Sequence, residues 1–162
     1  MRESAASYPS LEILDISRLD LSKPHPIWTA AGPNPVSVAK ATVLSWLLLN
    51  VYKTGERLHK LKKAKTPECI SCLAPVDHQI HFALQCPSLS EIRTQYMNKF
   101  FEACPKLKQI LSNPKLFILA LLDPFSPLLP EDIKDSWRDH NEAYELSRNY
   151  FYDLHKLSLI HI

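Results

Sequence analysis

The stretch CISCLAPVDHQIHFALQC, residues 69–86, carries three of the chain's four cysteines and decides how the rest is read. Cys69 and Cys72, then His81, then Cys86 follow the spacing C-x2-C-x8-H-x4-C. Zn2+ favours four soft or borderline donors in a tetrahedron, and three thiols with one imidazole meet that requirement. Two residues between the first pair allow one tight turn to present both sulfurs. The longer gap lets the chain return with a nitrogen donor. This predicts one structural zinc ion whose four positions are filled by protein, with none open for a reactive water. His78 competes with His81, since the two lie three apart; the short gap from His81 to Cys86 favours His81, which leaves His78 beside the site or at the surface. Cys104 reads as a core thiol.

The spacing differs from two better-known zinc modules. The retroviral nucleocapsid knuckle has four residues between its second Cys and its His, where this chain has eight. The DNA-reading finger ends in two histidines, whereas this motif ends in His and then Cys.

Working outward, composition bounds the alternatives. The chain has 162 residues, 46% of them hydrophobic and 22% charged, with a formal net charge of +2. That is enough for one sizeable core, and the overall charge alone demands no nucleic acid. Two glycines against 13 prolines disfavour hairpin turns that need positive φ, and favour helices punctuated by proline. The fold class expected is all-α: short helices around a single Cys-Cys-His-Cys turn, preceded by an irregular, proline-rich amino-terminal segment. MRESAASYPS lacks the apolar core of a secretory signal. The runs Val43–Val51 and Leu116–Leu122 are too short to span a bilayer, which takes about 20 residues. Unsignalled cysteines suit reduced thiols, so a soluble, intracellular protein of the nucleus or cytoplasm is expected, with no membrane partner and no small-molecule substrate.

Four regions follow. Residues 1–34 combine Ser, Pro and short apolar runs (Leu11, Ile13, Leu14, Ile16, Leu19, Leu21), with Trp28 expected to dock on a neighbour. Residues 35–65 form an apolar helix with a basic end. Asn34-Pro35 suits a helix start, and the helix is expected to continue to about Leu61, faltering near Gly55. Residues 66–93 form the zinc-binding module. In 94–162, Pro105 and Pro114 divide the chain into short helices before a last one over residues 141–160 with Tyr144, Tyr150 or Phe151, Leu154 and Leu157 on one side. Ser88 and Glu91 read as a capping box for a helix whose face is Leu89, Ile92, Tyr96 and Phe100.

A basic tract leads into the first cysteine: Lys53, Arg57, Lys60, Lys62, Lys63 and Lys65, relieved by Glu56. It reads either as a solvated helix face or as a phosphate-binding surface that releases counterions and offers little base selectivity. KLKKAK also fits a nuclear localisation signal. Tyr52, His59 and Phe82 are candidates for stacking on unpaired bases, with Phe82 better suited to the core. Trp28, Trp46 and Trp137 read as core aromatics. His25, His140, His155 and His161 show no partner pattern. No Gly-rich phosphate loop and no nucleophile with an identifiable base is present.

Cys69-x-x-Cys72, Asp77 before His81, then Cys86-Pro87 and Arg93 resemble the zinc-binding segment near the carboxyl end of non-LTR (LINE-like, jockey-type) retrotransposon reverse transcriptases. There the pattern reads C-P-x-C-G, an acidic pair, H-x4-C-P and a later Arg. The resemblance covers residues 65–93. It extends loosely to His25-Pro26-x-Trp28 and Lys40-Ala41 upstream, and to Leu122-Asp123-Pro124 and Glu145-Leu146-Ser147-Arg148 downstream. Ile70 and Leu73 stand where that family has Pro and Gly. The Tyr/Phe-x-Asp-Asp motif of the polymerase is missing, because Tyr152-Asp153 is followed by Leu154. The resemblance implies a carboxyl-terminal piece of such an element without its polymerase domain, or a host-retained relic of one, meeting RNA or DNA through phosphate contacts or packing on the missing polymerase domains. The competing expectation is an architectural or protein-interaction module in which zinc clamps helices and Val43–Val51 docks on a partner.

Overall fold

A computed structural model describes residues 22–29 and 31–160. Most of the expected irregular segment, including Leu11 to Leu21, lies outside the described residues, as does His161. Among the described residues seven α-helices run in order: α1 (Pro26–Thr29), α2 (Pro35–Leu48), α3 (Gly55–Lys60), α4 (Ser90–Ala103), α5 (Pro114–Leu122), α6 (Glu131–Lys134) and α7 (His140–Ile160). A π-type turn at His81–Gln85 and 3-10 turns at Pro87–Leu89 and Pro105–Ile110 complete the regular structure. No strand occurs among the described residues, so the all-α expectation holds.

The packing centres on α7, which lies against both α2 and α4, with α5 touching α2 and α7. Its inward face carries Tyr144, Tyr150, Phe151 and Leu154, all buried. Helix α5 is buried along Phe117–Leu122, and the Asn113 side chain caps it by accepting from Leu116 N at 3.1 Å. Asn34 does the same for α2, accepting from Val36 N at 2.9 Å. Both starts place Pro at the first helical position, where its missing N–H is not needed. Cys104 is buried, as expected, with its thiol toward the Ile133 carbonyl.

The helix expected to reach Leu61 ends at Leu48 instead. Asn50 adopts φ 52°, and the N–H groups of Asn50 and Val51 bond back to the carbonyls of Leu47 (3.0 Å) and Trp46 (2.8 Å). This is a Schellman cap with asparagine in the left-handed position that glycine usually fills. Gly55 therefore begins a helix. Thr54 caps α3, accepting from Arg57 N at 3.3 Å, and the Asp77 carboxylate accepts from Gly55 N at 2.8 Å. A Cβ on Gly55 would lie 2.4 Å from the Glu68 carbonyl oxygen and 2.8 Å from that of Pro67. Glycine is needed because α3 meets the loop leading to Cys69 backbone to backbone.

Three further expectations are corrected. Trp28 is 43% exposed, and its neighbour Ile27 is the residue that docks. Trp46 is 41% exposed, because α2 turns Ala41, Leu44, Leu47 and Leu48 inward and leaves it on the outer side. Only Trp137 of the three tryptophans is buried. Ser88 does not cap α4: that helix starts at Ser90 with no side-chain cap, and the Ser88 hydroxyl donates to the Ser71 carbonyl at 2.9 Å instead.

Gly55→Ala forces a methyl group into two carbonyl oxygens, so it is expected to destabilise the protein by about 1–3 kcal/mol. Urea unfolding monitored by circular dichroism measures the loss.

Candidate metal centre

Two turns build the site. In the first, Leu73 N bonds the Cys69 carbonyl at 2.8 Å and Cys69 N bonds the Ala74 carbonyl at 2.9 Å. The backbone N–H groups of Ser71 and Cys72 then face the Cys69 sulfur. In the second, the π-type turn carries His81, Cys86 N bonds the His81 carbonyl at 2.8 Å, and Ser88 N–H faces the Cys86 sulfur. The Ser88 hydroxyl at the Ser71 carbonyl ties one turn to the other.

The donor atoms of Cys69, Cys72, His81 and Cys86 all lie within 4.8 Å of one another. Cys69 Sγ is 3.9 Å from Cys86 Sγ, and Cys72 Sγ is 3.3 Å from His81 Nε2. A tetrahedral ion with metal–sulfur bonds of about 2.3 Å has sulfur–sulfur edges of about 3.8 Å. The four residues thus fit one metal ion, and none of the cysteines is in a disulfide. His78 stands outside the cluster, its Nδ1 accepting from His81 N at 2.9 Å, which orients the start of the turn that carries His81.

Burial pushes the Cys69 and Cys86 thiols up from the ordinary 9.0, although the facing N–H groups oppose it. Burial pushes the His81 imidazole down, opposed by Asp77. Metal entry must therefore displace thiol protons. N–H groups aimed at sulfur favour the thiolate that remains.

The loop is fastened to three helices. Gln79 donates to the Leu47 carbonyl at the end of α2. Arg93 Nη2 on α4 donates to the Cys86 carbonyl at 2.7 Å. Tyr150 OH on α7 donates to the Ala83 carbonyl.

Leu73 adopts φ 60° at the position where the resembled family has glycine. The turn is kept with a branched side chain in the left-handed region, at a cost of roughly 1–2 kcal/mol, and that side chain is 78% exposed.

The basic tract stands beside this loop. Lys53, Lys60, Lys62, Lys63 and Lys65 are exposed, and Arg57 is half-buried with its Nε enclosed. Lys60 pairs with Glu56 at 2.8 Å. No other lysine of the tract meets a carboxylate among the described residues. Tyr52 and Phe82, suggested as base-stacking groups, instead stack on each other in the core at 4.7 Å. Tyr52 OH also bonds His155 Nδ1 at 2.9 Å. His59 remains exposed, its Nδ1 3.3 Å from the Ala64 carbonyl oxygen.

One buried cluster had no spacing signal. Asp123 accepts from Tyr144 OH at 2.8 Å and lies 3.3 Å from His25 Nε2. The flanking motifs around His25 and Asp123, distant in sequence, meet there.

No protein-family model matches the chain, and no solved structure matches it. It is similar to a Retrovirus-related Pol polyprotein from type-1 retrotransposable element R1 4 of Nasonia vitripennis, 35% identical over 66 residues, 39% of this chain. The match supports a retrotransposon-related origin. The chain spans 17% of that relative's length.

Replacing Cys69 or Cys86 with Ser, or His81 with Ala, is expected to abolish metal uptake and unfold at least residues 66–93, whereas His78→Ala keeps the metal. Inductively coupled plasma mass spectrometry of the purified variants reads this directly. Acid is expected to release the metal, because each thiolate recovers a proton. Melting temperatures across pH, with and without chelator, check this. Leu73→Gly relieves the left-handed leucine and should add about 1 kcal/mol to stability with metal content unchanged, measured by denaturant unfolding.

Proposed function

We propose that the chain is a non-catalytic, zinc-stabilised nucleic-acid-binding segment, related to the carboxyl-terminal region of a non-LTR retrotransposon reverse transcriptase, that contacts template RNA or target DNA. Three thiols and an imidazole select Zn2+ over the harder cations. With four protein donors, no coordination position is left for substrate, so the ion's part is structural.

One observation supports the binding role above the others. The basic helix is bolted to the metal loop, through Asp77 to Gly55 N at 2.8 Å, Glu56 N to the Asp77 carbonyl at 3.0 Å, and Asp77 N to the Pro67 carbonyl at 2.7 Å. Lys53, Arg57, Lys60, Lys62, Lys63 and Lys65 thereby sit on a surface whose shape the metal fixes. Such a surface neutralises phosphates without reading bases.

The fastenings from Gln79, Arg93 and Tyr150 favour a second reading, in which zinc only clamps α2, α4 and α7. Salt titration of fluorescence anisotropy with single-stranded RNA and duplex DNA separates the two. Nucleic-acid binding predicts affinity falling steeply with salt. Replacing Lys60, Lys62 and Lys63 with Ala should cut the single-strand slope by about 2, at about 0.7 per phosphate. Weak binding that ignores those substitutions would leave the clamp.

A further inference from the structure

We propose that the cleft between the basic tract and the carboxyl end of α7 receives an unstacked base of single-stranded nucleic acid, with Lys53 and Lys65 meeting the flanking phosphates; this rests on the nucleic-acid reading above. The cleft encloses about 540 Å³, within the range of about 300–1,000 Å³ for small-ligand pockets. Trp46, Ile70 and Leu159 line it and stay exposed, so an apolar patch faces solvent on a protein that buries its other aromatic rings nearby. The Trp46 and His155 rings meet at 75° with centroids 6.3 Å apart, and Trp46 keeps 41% of its surface in solvent.

The rim argues for a nucleotide over an apolar peptide. Lys53 and Lys65 line the cleft and have no carboxylate partner among the described residues. Glu68 and Asp77 also line the cleft and keep their charge, Glu68 accepting from Thr66 Oγ1 at 3.1 Å and Asp77 from Gly55 N, but neither pairs with Lys53 or Lys65. An exposed aromatic ring and two unpaired cations on one cleft match a base and its neighbouring phosphates, the combination by which single strands are held without sequence preference. A paired base, covered on both faces by its neighbours, cannot enter.

Anisotropy of a labelled single-stranded RNA of about 12 nucleotides, within the usual site sizes, tests this with the full chain. Trp46→Ala, at an exposed position and checked by circular dichroism, should weaken binding about tenfold, within the loss typical of a stacked base. The salt slope should stay unchanged, and Trp46→Phe should restore most of the affinity. An oligonucleotide with abasic positions should lose affinity for the native protein to a similar degree. If Trp46→Ala and the abasic strand bind as well as their parents while the Lys60, Lys62, Lys63 variant is impaired, the cleft takes no base and the phosphate surface stands. A native chain with no salt-dependent binding to any nucleic acid overturns both readings. A dimer that Trp46→Ala returns to monomer assigns the cleft to a second copy and overturns the inference.

Discussion

Between Leu61 and Ile80 the chain builds no helix longer than a turn, and the four donors that meet around it lie within 4.8 Å of one another. A loop of this kind has few backbone hydrogen bonds to offset the entropy of fixing it. Structural zinc in small modules is worth about 10–16 kcal/mol at neutral pH, comparable with or above the roughly 5–15 kcal/mol by which a whole domain is stable. A cation bound by these donors would carry a share of the folding free energy that the surrounding helices do not supply for this loop.

What the loop then does depends on its attachments. Gln79, Arg93 and Tyr150 bring it to α2, α4 and α7. Asp77 has two jobs at once, since its carboxylate closes the start of α3 while its backbone joins Pro67 and Glu56. Metal geometry, helix packing and the placement of the lysines are thus parts of one mechanical unit. A charge cluster on a free helix would take many arrangements; here it takes few.

Much of this was legible in the residues. The cluster of four donors followed from donor type and spacing, the start of α2 from its Asn-Pro pair, and the last helix from its aromatic period. The break after Leu48 was not, because asparagine adopts the left-handed conformation without announcing it as glycine does. The exposure of Trp46 was hidden by a run apolar on nearly every side, whose inward direction is set by packing on α1, α5 and, above all, α7. Ser88 fitted a capping box equally well, but Pro87 placed it in a 3-10 turn where its hydroxyl reaches Ser71. The His25–Asp123 contact lay beyond any local pattern, since 98 positions separate the two residues.

That separation bears on the order in which the chain assembles. Cys69 and Cys86 are 17 positions apart, His25 and Asp123 are 98. Loop-closure entropy grows with the logarithm of length, so joining the nearer pair is cheaper by about 1.5 kcal/mol. The ligand loop is the less demanding of the two to close first, and an ion captured early would shorten the conformational search left to α2 and α7.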